Sequence, residues 1–97
     1  ASSVVPELLD MCNNNGGDIP GAKGCPDEML RQAGEYGVSK INVDTDLRLA
    51  MTAQIRRVFA EDPSVFDPRK YLGAAKEEIK ATVAHKINNV FCSAGKA

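Results

Sequence analysis

The sequence predicts an α/β fold in which helices flank one strand of a parallel sheet whose other strands lie outside these residues. Three observations point there. Apolar residues recur at helical spacing in four separate stretches. One short segment, 38–43, alternates apolar and polar residues between turn signals. Finally, a single strand in a helical chain would have both edges unpaired, so it belongs beside other strands of a larger sheet.

The first helix opens near Pro6, where proline fits the first turn because its missing N–H needs no partner there. Ser2 and Ser3 precede it as capping candidates. Val5, Leu8, Leu9 and Cys12 share one face, and Gly16-Gly17 closes the helix after three asparagines. Residues 18–25 read as a loop, since Pro20, Gly21 and Gly24 all disfavour helix. Pro26, Asp27 and Glu28 start a second helix, with carboxylates at its positive end. Met29, Leu30 and Ala33 supply its buried edge and Gly37 stops it.

Residues 38–43, Val38-Ser39-Lys40-Ile41-Asn42-Val43, make the one convincing strand. A third helix follows from about Thr45 to Ala60, with Leu47, Met51, Ile55, Val58 and Phe59 expected on its buried face. Pro63 and Pro68 break 61–70 into an arm. A last helix, about 71–92, is expected to bury Leu72, Ala75, Ile79, Val83, Ile87 and Val90. A complete (β/α)₈ barrel takes about 250 residues. The 97 residues present therefore read as its C-terminal portion: the last strand, the last barrel helix and a helical arm.

Composition excludes several classes. Hydrophobic residues are 43% and charged residues 26%, ordinary for a globular protein, and 12 basic side chains nearly cancel 13 acidic ones. Neither a nucleic-acid partner nor a membrane is expected, because no basic stripe and no long apolar run exists. The start, ASSVVPE, has no basic region followed by an apolar stretch, so it does not read as a secretory signal. The absence of an initiator methionine fits a segment of a longer chain. Cys12, Cys25 and Cys92 are odd in number and lack C-x-x-C spacing, which predicts free thiols in a reducing compartment.

Chemistry is expected where the strand meets the third helix, at Asn42-Val43-Asp44-Thr45-Asp46. Ligands of α/β proteins bind at the carboxyl ends of strands, and helix-start N–H groups hold phosphate. On spacing alone, Asp44 or Thr45 could equally be a plain N-cap. Arg48, one turn on, either reaches a bound phosphate through its guanidinium or pairs with Asp44 at i−4. Arg69, beside Pro68, suits a surface turn or reach into a neighbour. His85 has no partner at metal-ligand spacing and reads as solvated surface.

These residues in this order resemble one family. The string KINVDTDLRLAMTAQIRRVFAEDPSVFDPRKYLGAAKEEIK is similar to the end of class II, metal-dependent fructose-bisphosphate aldolases. The opening ASSV resembles the tail of that family's HGASS motif, and the GCPDEML stretch its segment before the last barrel strand. The resemblance implies a cytoplasmic homodimeric (β/α)₈ enzyme of glycolysis and gluconeogenesis that reversibly cleaves fructose 1,6-bisphosphate into dihydroxyacetone phosphate and glyceraldehyde 3-phosphate. It implies Zn2+ as cofactor, stabilising an enediolate, and a monovalent cation site. The metal-binding histidines and the proton donor match no position of this chain, so these residues alone are expected to be inactive.

What the resemblance assigns here is a substrate cradle. Ser2, with the backbone around Ala1, binds the phosphate of the dihydroxyacetone half. Asp44, Thr45 and the amides from Val43 complete that phosphate site. Asn42 orients the dihydroxyacetone oxygens, and Asp44 also hydrogen-bonds the triose. Arg48 meets the far phosphate, as does Arg69, donated from a partner subunit. Tagatose-bisphosphate aldolases of the same family are an alternative; they carry a less acidic stretch where this chain has Asp44-Thr45-Asp46. A non-enzymatic phosphate-binding helical module is the alternative from another class.

Overall fold

The computed structural model describes residues 4–21 and 24–96, which form four helices. Helix α1 is Pro6–Asn14, α2 Asp27–Glu35, α3 Thr45–Glu61 and α4 Pro68–Asn89. Helices α1 and α2 both stop at a glycine with positive φ, Gly16 at 92° and Gly37 at 99°. In each, the N–H two residues past the cap bonds back to a last-turn carbonyl: Gly17 to Cys12 and Val38 to Ala33. This is the Schellman closure that a left-handed glycine permits. Gly17 also has no room for a side chain, since a Cβ there would stand 2.6 Å from the Cys12 carbonyl oxygen.

Helix α3 is the centre of the fold, packing on α1 on one side and α4 on the other. The core joins Leu8 and Cys12 of α1 to Leu49, Ala50 and Ala53 of α3. The alanines have no exposed surface, and their small size lets the two backbones approach closely. Val5 bonds to Asp46 near one end, and Arg56 donates to the Gly16 carbonyl at the other. Partners therefore ascend together along both helices, so α1 and α3 run parallel and begin side by side.

Against α4 the order reverses. Phe59 meets Tyr71, Gln54 bonds Glu78, and Asp46 bonds Lys86. Helices α3 and α4 thus form an antiparallel hairpin. Its connection is built by Asp62, whose carboxylate accepts from both the N–H and the hydroxyl of Ser64, the aspartate turn expected before a proline-bounded helix.

Three sequence expectations need correction. Residues 38–43 form no strand; no strand occurs among the described residues. A strand is stabilised by hydrogen bonds to a neighbour, and the described residues supply none for the segment. The last helix begins at Pro68 rather than 71 and ends at Asn89 rather than 92. Asp67 caps it by accepting from the Arg69 N–H, with Pro68 in the first turn. The supposed arm is therefore only the short link 62–67.

The buried faces also differ from those expected. Helix α3 buries Asp46, Leu49, Ala50 and Ala53, while Met51 and Phe59 are exposed. Helix α4 buries Ala75, Thr82 and Lys86, with Val90 just past its end; Ala75 and Val90 are buried as expected, but Leu72, Val83 and Ile87 are exposed, and Met29 of α2 is exposed as well. The molecule measures 49 × 32 × 15 Å, and its thin dimension is little more than the roughly 10–12 Å diameter of one helix. A single layer can cover only one side of each helix, so the second apolar side stays open.

Candidate functional site

The parallel arrangement brings two helix starts together, those of α1 and α3. Each presents backbone N–H groups, the standard means of holding an anion. At the start of α3, Asn42, Asp44, Thr45 and Arg48 are exposed and Val43 is half-buried. Asp44 occupies the N-cap position, yet its side chain does not cap the helix. It faces Arg48 instead, with Nε 3.1 Å from Oδ1 and a terminal nitrogen 2.9 Å from Oδ2. Of the two readings of Arg48, this structure takes the i−4 pair. That pair is well exposed on both sides, so it is weak, and a phosphate could replace the carboxylate as acceptor.

Ala1 and Ser2, expected on the opposite wall of the cradle, lie outside the described residues. Arg69 stands elsewhere. It is in the first turn of α4, gripped by Asp67 through its backbone N–H, Nε and a terminal nitrogen. The Arg69 guanidinium and its backbone N–H hold the Asp67 carboxyl below the usual carboxylate range. Because Tyr71 packs on Phe59, Arg69 lies at the far end of the hairpin from Asp44. Thr45 and Phe59 are fourteen positions apart on α3, about 20 Å along the axis at roughly 1.5 Å each.

Sequence reasoning missed a buried cluster just beneath the α3 start. Asp46 has no exposed surface and Lys86 only 2%. Lys86 Nζ donates to Asp46 Oδ2 at 2.8 Å and to Asp27 Oδ1 at 2.5 Å. Asp46 Oδ1 accepts the Val5 N–H at 2.8 Å. Asp27 Oδ2 lies 2.8 Å from His85 Nε2; His85 is exposed, as expected, but has this carboxylate, distant in sequence, beside it. The starts of α1, α2 and α3 and the end of α4 all meet here.

Burial opposes the charge of Asp27, but hydrogen bonding with Lys86 and His85, together with the Lys86 charge, holds its carboxyl below the ordinary range. For Lys86, burial pulls the ammonium down, and the bonds and charges of Asp27 and Asp46 outweigh it and raise the pKa. One signal could have found this cluster. Ala75, Ile79, Thr82, Lys86 and Val90 recur at helical spacing, and a lysine in the middle of such a face asks for a buried carboxylate.

Among the described residues no three His, Cys, Asp or Glu side chains converge. The Lys86 ammonium, moreover, already occupies the Asp27 carboxylate that a cation would need.

Residues 19–96 match the family model described as class-II fructose-bisphosphate aldolase. The chain belongs to the class II fructose-bisphosphate aldolase family. Across all 97 residues it is 48% identical to a fructose-bisphosphate aldolase of Treponema pallidum, 50% to one of Xanthobacter flavus and 48% to one of Giardia intestinalis. It covers 29%, 27% and 30% of those relatives, so it spans under a third of their length. Cys12, Cys25 and Cys92 of this aldolase segment are all free thiols. No helix among its described residues is long and apolar enough to cross a membrane.

Proposed function

We propose that this chain supplies the substrate-phosphate side of an enzyme that reversibly cleaves fructose 1,6-bisphosphate to dihydroxyacetone phosphate and glyceraldehyde 3-phosphate. The observation that carries this reading is the Asn42–Arg48 turn. Its carboxylate, amide, hydroxyl and guanidinium are displayed together at a helix start, and Asp44 leaves the first-turn donors uncapped. Asn42 and Asp44 orient the sugar oxygens. Thr45 and the amides from Val43 receive one phosphate, together with Ser2 and the backbone at Ala1. Arg48 receives the other phosphate once it leaves Asp44, with two parallel hydrogen bonds that its planar fork allows.

Arg69 acts from a partner subunit of a homodimer. Two facts support this: it stands at the opposite end of the α3–α4 hairpin from Asp44, and it is 91% exposed. The family's zinc, as the family resemblance implies, is held by residues outside this chain; among the described residues no three His, Cys, Asp or Glu side chains converge. The remainder of a (β/α)₈ barrel covers the open apolar sides carried by Phe59, Leu72 and Phe91. It also gives 38–43 the strand neighbours it lacks. The whole enzyme is a soluble cytoplasmic one of glycolysis and gluconeogenesis.

Cleavage by the full-length protein, assayed by trapping both triose phosphates, tests the reading. Asp44→Ala should lower turnover as well as affinity, because it positions the reacting half of the sugar. The loss expected for one charge-assisted group is about 1.5–3 kcal/mol, or roughly 10- to 150-fold. Wild-type turnover in Asp44→Ala, or equal use of tagatose 1,6-bisphosphate, would sink the assignment.

A further inference from the structure

We infer that Asp46, clamped by Lys86, is a positioning residue that locks the start of α1 against the start of α3 and thereby sets the phosphate affinity of the site. The inference rests on the phosphate-site reading above. Asp46 touches no substrate in this scheme; it acts through Val5 and through its neighbour Thr45.

The geometry is specific. Asp46 is the second residue of α3, directly after Thr45, and is fully buried. One oxygen accepts the Val5 N–H at 2.8 Å, 41 residues away in sequence. Val5 is the N-cap residue of α1, three positions after Ser2. A single carboxylate therefore joins the two chain segments that are to share one phosphate. The other oxygen takes Lys86, which Asp27 holds from the far side. Lys86 both fixes the carboxylate and offsets its charge, so that a helix start meant for an anion does not carry an unpaired negative group.

Plain stability does not call for this arrangement. A buried ion pair of this kind is often no more stabilising than apolar residues of the same volume. What it adds is a fixed direction, since only an acceptor at this point can hold the Val5 N–H. Because the two helix starts must present their donors to one small anion, displacement by about 1 Å is enough to cost as much as 100-fold in function.

The test uses the full-length enzyme with inorganic phosphate as a competitive inhibitor, and two double variants. Asp46→Asn/Lys86→Met removes both charges yet keeps an oxygen acceptor for Val5. Asp46→Leu/Lys86→Met removes the acceptor as well. Neither leaves Asp46 or Lys86 as an unpaired buried charge. The asparagine pair should bind phosphate within about threefold of wild type, and the leucine pair about tenfold or more weaker, the value of one lost hydrogen bond plus displacement. The substrate KM should rise in step with the phosphate Ki, with kcat falling less.

A folded leucine pair with wild-type phosphate affinity overturns the inference. Should that pair fail to fold, Val5→Pro deletes the same N–H at a φ of −80°, which a proline ring accepts, and unchanged phosphate binding there overturns it equally. Thr45→Ala separates the two levels. If Thr45→Ala leaves phosphate binding unchanged, the phosphate-site reading itself fails. If Thr45→Ala weakens binding but the leucine pair and Val5→Pro do not, only the role of Asp46 fails.

Discussion

Replacing Lys86 by methionine should be among the most destabilising single changes in this part of the enzyme, and the reason is Asp46 rather than lost packing. Methionine keeps most of the apolar stem, so little burial is lost. The ammonium, however, is the 2.8 Å partner of a carboxylate with no exposed surface. Stranding such a charge costs about 3–5 kcal/mol. Asp27, the other partner, has a side chain 31% exposed and keeps His85, so it can turn to water and adds little. Adding Asp46→Asn to Lys86→Met removes the stranded charge, and the residual cost should fall to about 1–2 kcal/mol, a lost hydrogen bond. The double variant should thus be more stable than the single one by roughly 2 kcal/mol, a non-additive result expected only of coupled neighbours. Urea unfolding of the full-length enzyme by far-ultraviolet circular dichroism reads this as a shift in midpoint at constant slope. A double variant no more stable than Lys86→Met alone would refute the reasoning, because the cost would then lie in packing.

Three further outcomes are expected. Arg48→Ala should weaken fructose 1,6-bisphosphate by roughly 10- to 150-fold while leaving fructose 1-phosphate nearly unaffected; equal losses for both, in steady-state kinetics, would make Arg48 structural. If Arg69 works across a dimer, mixing Arg69→Ala subunits with Asp44→Ala subunits should restore activity toward half of wild type in the heterodimers, since one site regains both residues; no recovery means that Arg69 serves its own subunit. The stability advantage of wild type over Asp46→Asn/Lys86→Met, which strands no carboxylate, should be flat from roughly pH 5 to pH 9. The lowered Asp27 pKa makes its share fully present above the ordinary value of 3.8 and lost as pH falls through the depressed one. The raised Lys86 pKa makes its share fully present below 10.5 and lost as pH rises through the elevated value. Melting temperatures across that range check this, and a maximum confined to one narrow pH would contradict it.

Helix positions were legible because their signals are local. Pro6 and Pro26 stand at or beside the two helix starts read from proline, and Gly16 and Gly37 at two ends; Pro68, read as a breaker, opens α4 instead. The strand at 38–43 was not, because a strand is a relation between segments and its partners are absent from this chain. The buried faces of α3 and α4 failed for a related reason. Each helix has two apolar sides, and sequence periodicity cannot say which one meets a neighbour inside these 97 residues. Leu72, Val83 and Ile87 were assigned to the interior on hydrophobicity, whereas the hairpin turns Ala75, Thr82 and Lys86 inward.

At the site, Asn42, Val43, Asp44, Thr45 and Arg48 could be found in the sequence because they are consecutive or one turn apart. Asp46 stood in the same motif, but its burial could not be read there, since Val5 and Lys86, which it bonds, are 41 and 40 residues distant. The motif is thus divided by side-chain direction. Asp44 and Arg48 point outward, where a sugar phosphate is met; Asp46 points inward, where the scaffold is fixed. On this reading, Asp44 and Asp46 do opposite work with the same carboxylate. One must be free to exchange Arg48 for ligand, and the other must never exchange Lys86 at all. Swapping their environments is impossible without rebuilding the α1–α3 contact, which is why the pair is separable by experiment. Changes at Asp44 should move catalysis and leave stability nearly intact, while changes at Asp46 should move stability first and phosphate affinity through Val5.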